Sequence, residues 1–128
     1  NEGKVDATGA GGVVIKSTNV TNTGTVATLA SGSHIDLDGA IITGGAVTLV
    51  AGSTIESINH QSTISGAKIT NPVGGTFSAH GSDLTITTAF VNSGVLDANN
   101  GHLTLQGAIT GKGTATIEGS GPLSTRAK

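Results

Sequence analysis

The side chains able to do chemistry in this chain of 128 residues are few: four histidines, eight aspartates and glutamates, six lysines and arginines, and no cysteine. His34, His60, His80 and His102 recur about once per repeat of the unit described below, which would suit a column of imidazole metal ligands. Their register works against this. Counted back from the alanine that leads the second strand of each unit, they stand six, seven, nine and six positions upstream, so only His34 and His102 share a place. Those two are about three turns apart, whereas ligating imidazoles must come within about 2.1 Å of one ion. The histidines are therefore expected at exposed turns and strand ends, and no metal is expected. Calcium-binding β-rolls use a Gly-Gly-x-Gly-x-Asp pattern, and Gly11-Gly12, Gly44-Gly45 and Gly74-Gly75 are followed by no suitably placed aspartate. Asp36 and Asp38 fall on one side of an alternating strand and are expected to be a surface carboxylate pair.

Catalysis fares no better. Cleaving a polysaccharide takes two carboxylates flanking a bond, or acidic metal ligands with a base, usually beside sugar-stacking aromatics. Here the acids are dispersed, the one arginine is Arg126 near the end, and Trp and Tyr are absent. Ser33, His34 and Asp36, or His80, Ser82 and Asp83, contain triad residue types, but a triad is defined by geometry and not by closeness in sequence. The glycine-rich stretches at 9–12 and 119–121 follow no strand-to-helix pattern and read as turns, not phosphate loops. Thr-x-Thr pairs at Thr23/Thr25, Thr85/Thr87 and Thr114/Thr116 would form an ice-binding face only if repeated in nearly every turn. Asp36, Asp38 and Gln106 interrupt them, so the β propensity of threonine is the better account. The expectation is a protein that is not an enzyme and holds no cofactor.

Composition excludes further classes. A net charge of −2 with no basic stripe, and Phe77 and Phe90 as the only aromatics, removes both the phosphate and the stacking contributions to nucleic-acid binding. No apolar run approaches the ~20 residues that span a bilayer, so no membrane span is expected. The chain opens at Asn1 with neither methionine nor apolar leader, which reads as a mature product or an excised piece. With 21 glycines and 35% hydrophobic residues, the core must be thin.

The elements that must position these residues follow from an internal repeat. Ile35-Asp36-Leu37-Asp38-Gly39-Ala40-Ile41-Ile42-Thr43 is echoed by Ser62-Thr63-Ile64-Ser65-Gly66-Ala67-Lys68-Ile69-Thr70. Further copies are Leu84-Thr85-Ile86-Thr87-Thr88-Ala89-Phe90-Val91 and Leu103-Thr104-Leu105-Gln106-Gly107-Ala108-Ile109-Thr110. Each reads as an alternating strand, a tight corner, an alanine-led second strand and turn material, with copies 27, 22 and 19 residues apart from Ala40 to Ala67 to Ala89 to Ala108. One unit offers too few aliphatic side chains to fold alone, so units must stack into columns. Ile35, Leu84 and Leu103 form one expected ladder; Leu37, Ile64, Ile86 and Leu105 a second; and the four alanines a third. The expected fold is all-β, a right-handed parallel β-helix of about six turns over residues 1–123, followed by a polar tail at 124–128. An antiparallel β-sandwich is the alternative, since short strands at this spacing would also suit it.

Phrases such as Asn22-Thr23-Gly24-Thr25-Val26, Ala46-Val47-Thr48-Leu49 and Asn92-Ser93-Gly94-Val95-Leu96 resemble the degenerate repeats of large exported bacterial surface proteins. The type is that of autotransporter passengers and filamentous haemagglutinin. The resemblance is one of style, covers almost all of residues 1–123 and transfers no specific site residue. It implies a non-enzymatic stalk, fibre subunit or adhesin scaffold displayed outside the cell or on its outer surface. Expected partners are adjoining turns of a longer chain, end-to-end copies of itself, and a host surface or extracellular polysaccharide. A carbohydrate-binding or carbohydrate-processing β-helix is the alternative function. Two interaction features are expected: an outward stripe of Ile41, Lys68, Phe90 and Ile109, and a protruding loop of Ile58, Asn59, His60 and Gln61.

Overall fold

A computed structural model describes residues 1–117 and the backbone of 118 and 123–125. All its regular structure is β-strand. In chain order the strands are β1 (Lys4–Ala7), β2 (Val13–Lys16), β3 (Asn19–Thr21), β4 (Thr25–Thr28), β5 (His34–Asp38), β6 (Ile41–Thr43), β7 (Ala46–Thr48), β8 (Thr54–Ser57) and β9 (Ser62–Ser65). There follow β10 (Lys68–Thr70), β11 (Thr76–His80), β12 (Leu84–Ile86), β13 (Phe90–Val91), β14 (Val95–Asn99), β15 (Leu103–Leu105), β16 (Ile109–Thr110), β17 (Thr114–Glu118) and β18 (Leu123–Thr125). Every third strand joins the same sheet. The first sheet runs β1-β4-β7-β10, the second β2-β5-β8-β11-β14-β17 and the third β3-β6-β9-β12-β15-β18. The short pair β13-β16 follows β10 through the parallel bridge Asn71↔Asn92.

Every strand ladder is parallel, which makes the fold a β-solenoid of about five turns and overturns the antiparallel sandwich. The physical reason is the one the repeat supplies: strands carrying two or three aliphatic residues gain burial only by stacking on their equivalents one turn away. Period-2 alternation then sets inward columns in each sheet. In the first sheet one is Val5, Val26, Val47 and Ile69; in the second Val13, Ile35, Ile55, Phe77 and Leu96; in the third Val20, Ile42, Ile64, Ile86 and Leu105. Of the expected tail at 124–128, Ser124 and Thr125 belong to β18, whereas 126–128, including Arg126, lie outside the described residues.

One part of the expected register is corrected. Ile41 stacks on Thr63 and Lys68 on Ala46, so Gly39-Ala40 and Gly66-Ala67 are corners on different edges of the coil. Both glycines take nearly the same left-handed conformation, φ 68° and 67°, because each corner needs a residue without a Cβ penalty. Equal local needs produced equal local sequence, and the copy beginning at Ile35 was thereby placed one face out of register. Ile35 and Leu37 therefore belong to the second sheet; Ile42 holds the place given to Leu37. The alanine ladder does not form: Ala40 and Ala67 are buried at separate corners, and Ala89 is exposed.

Candidate functional site

The outer face of the second sheet gathers the titratable groups. Alternation turns Ile35 and Leu37 inward, both fully buried, and so turns His34, Asp36 and Asp38 the other way. On the next strand Glu56 lies between inward Ile55 and Ser57 and is the register partner of Asp36. The column continues through Ser78 and Asp97 to Thr116. Farther along it the carboxylate is satisfied by hydroxyls: Thr116 Oγ1 donates to Asp97 Oδ1 at 2.9 Å and Ser78 Oγ to Oδ2 at 3.4 Å.

At the near end, one ligand atom each from His34, Asp36 and Glu56 lies within 4.8 Å of the others. His34 Nδ1 is 2.8 Å from Asp36 Oδ1, and His34 Nε2 is 3.0 Å from the carbonyl oxygen of Ala10 in the preceding turn. Gly12 packs on the ring so closely that a Cβ there would stand 2.7 Å from Nδ1. A hydrogen bond accepted by Asp36, helped by its charge, raises the pKa of His34 above the ordinary 6.5. Partial burial, with Asp36 facing it, raises that of Glu56 above the ordinary 4.5.

A second constellation sits at the following corner. Asp38 accepts hydrogen bonds from Asn59 Nδ2 at 3.0 Å and from His60 Nδ1 at 2.6 Å. The carboxylate is 4% exposed and the imidazole 71%, so the aspartate is the buried member and the histidine its lid. The amide of Asn59 first, then His60, hold the pKa of Asp38 below its ordinary 3.8.

The residues expected as sites are placed as follows. Asp36 and Asp38 take different partners, His34 and His60, and so do not act as a pair. Ser33 is buried and donates to the Ala30 carbonyl at 2.6 Å, so the Ser-His-Asp residue types of this strand are not linked through their serine. His80 ends β11 and is exposed, while the backbone N–H of His102 donates to Asp83 Oδ1 at 2.9 Å. The expected stripe is divided: Ile41 is exposed on the third sheet, Lys68 exposed on the first, and Phe90 is 7% exposed and paired with half-buried Ile109. Ile58, Asn59, His60 and Gln61 form the corner between Ser57 and Ser62. Corners 80–83 and 99–102 have the same length, because Ser57 stacks on Ala79 and Ala98 while Ser62 stacks on Leu84 and Leu103. Asn59 and Asn100 both adopt φ 58° there.

Sequence reasoning missed Glu56, Ala10 and Gly12. The signal for Glu56 was present, since His34-Ile35-Asp36 and Thr54-Ile55-Glu56 share an isoleucine followed by an acid. That for Ala10 was absent, because a backbone carbonyl leaves no mark on residue type. Comparison with protein-family models, with curated proteins and with solved structures returns no match.

Proposed function

We propose that this chain is a non-enzymatic structural module, a right-handed β-helix of about six turns serving as stalk, fibre subunit or adhesin scaffold of an exported bacterial surface protein. The observation that carries the reading is the run of parallel ladders along one axis, six strands long on two faces, over a core of stacked, mostly aliphatic columns. Such a body resists bending because its backbone hydrogen bonds lie along its length. The right hand is supported by the strong preference of parallel crossover connections for it, and six turns by the strand number of the second and third sheets. Surface display is supported by the likeness of Asn22-Thr23-Gly24 and Asn92-Ser93-Gly94 to exported repeat proteins. Adjoining turns of a longer chain, or the ends of further copies, are the partners that parallel strand edges fit.

The test is electron microscopy of the purified chain at several concentrations, with light scattering alongside. Filaments one solenoid wide that lengthen with concentration are expected of a fibre subunit. Monomers at every concentration would overturn assembly as its function.

A further inference from the structure

We propose that His34, Asp36 and Glu56 form a binding site for a single divalent transition-metal ion of the Zn²⁺ class, which ties consecutive turns of the solenoid together. The argument begins with the two nitrogens of His34. Nε2 stands 3.0 Å from the Ala10 carbonyl oxygen, and since a carbonyl only accepts, this contact is a hydrogen bond in the tautomer that carries the ring proton on Nε2. In the neutral ring Nδ1 then presents a lone pair to Asp36 Oδ1 across 2.8 Å, with no hydrogen between two acceptors. In that tautomer a positive centre is required there, either a second proton on the imidazole or a metal ion.

Three features favour the metal. Glu56 brings a second carboxylate to the cluster, and one ligand atom from each of the three residues lies within 4.8 Å of the others. Two ligands of a tetrahedral zinc ion with ~2.1 Å bonds stand about 3.4 Å apart, so the cluster closes on an ion with side-chain movements of about 1.5 Å or less. A histidine donating its other ring N–H to a backbone carbonyl is the usual arrangement around a metal, fixing the tautomer and aiming the free nitrogen. The ring itself is held in a built slot, since Gly12 lies so close that any side chain there would displace it. The donor set of one nitrogen and two carboxylate oxygens suits zinc better than magnesium or calcium, which favour all-oxygen shells. Three protein ligands leave a coordination position for water. Carbonyl, histidine with aspartate, and glutamate come from three successive passes of the chain, so the ion acts as a clip across the stack.

The test is calorimetric titration of ZnCl₂ into the EDTA-stripped, dialysed 128-residue chain, with Glu56→Gln, His34→Gln and His60→Gln variants in parallel. Saturable binding at one ion per chain is expected, weakened about tenfold or more by Glu56→Gln and His34→Gln. His60→Gln, which removes an exposed imidazole outside the cluster, is expected to bind as the parent does. Circular dichroism checks that each variant is folded; Glu56→Gln, nearly isosteric on an outer face, keeps the test decisive if His34→Gln does not fold. In ¹⁵N spectra zinc is expected to shift Nδ1 of His34 while Nε2 stays protonated. Absence of saturable binding, or binding unchanged in folded Glu56→Gln, would overturn the proposal and leave a proton as the positive centre.

Discussion

Asp38 shows how one buried carboxylate can make this fold sensitive to acid. Its folded-state pKa lies below the ordinary 3.8 because Asn59 and His60 donate to the ionised form. A depressed pKa means that the native state binds the proton less readily than the unfolded chain. The stabilisation is therefore complete above the unfolded value and is lost as pH falls through the folded one. Asp38→Asn is expected to lower the urea midpoint at pH 6, and the gap from the parent should narrow steadily as pH is lowered from about 5 to about 2.5. A gap that stays constant over that range would show that the variant acts through packing and not through ionisation.

At the scale of the strand, stability resides in the inward columns and in the corners that hold their register. Phe77 is fully buried between Ile55 and Leu96, and its ring meets Phe90 with centroids 6.2 Å apart at an interplanar angle of 59°. Phe77→Ala is expected to cost about 3–5 kcal/mol in urea unfolding, because the parallel ladders on both sides keep the neighbours from collapsing into the space. At the corner after β13, buried Asn92 accepts from Asn71 Nδ2 at 2.8 Å and donates to the Gly94 carbonyl at 3.2 Å. Asn92→Ala removes both bonds from a buried corner, although Asn71 Nδ2 keeps the Val95 carbonyl and the Gly94 carbonyl keeps the Thr114 N–H, and is expected to cost about 1 kcal/mol. The columns of the third sheet were legible in the sequence from Ile64, Ile86 and Leu105 onward, since alternation and a step of about 20 residues identify them together. The earlier turns were not, because Gly39-Ala40 and Gly66-Ala67 solve the same steric problem at different corners. The His34 cluster was hidden by the same error of register, since Glu56 meets Asp36 only when β8 is laid on β5.

Across the whole molecule, each turn touches only its neighbours, so the effect of a lost contact depends on how many neighbours the turn has. Val20 in β3 stacks on Ile42 on one side, while Ile64 in the same column lies between Ile42 and Ile86 and is fully buried. In a nearest-neighbour stack a weakened terminal turn opens by itself, whereas a weakened central turn destabilises both flanking segments. In the 128-residue chain Val20→Ala is expected to speed amide hydrogen exchange in β1, β2 and β3 and leave β11 to β15 at the parental rate. Ile64→Ala, at a cost of about 2–5 kcal/mol, should speed exchange on both sides of β9. Exchange mass spectrometry with peptide resolution separates the two patterns. If Val20→Ala loosened β14 as much as β2, the solenoid would open as one unit and its stability would not be a sum over turns. The expected local pattern instead allows turns to be added to or removed from such a rod with little effect on the protection of distant ones, and the ladders already keep register while the step falls from 22 residues between β8 and β11 to 19 between β11, β14 and β17.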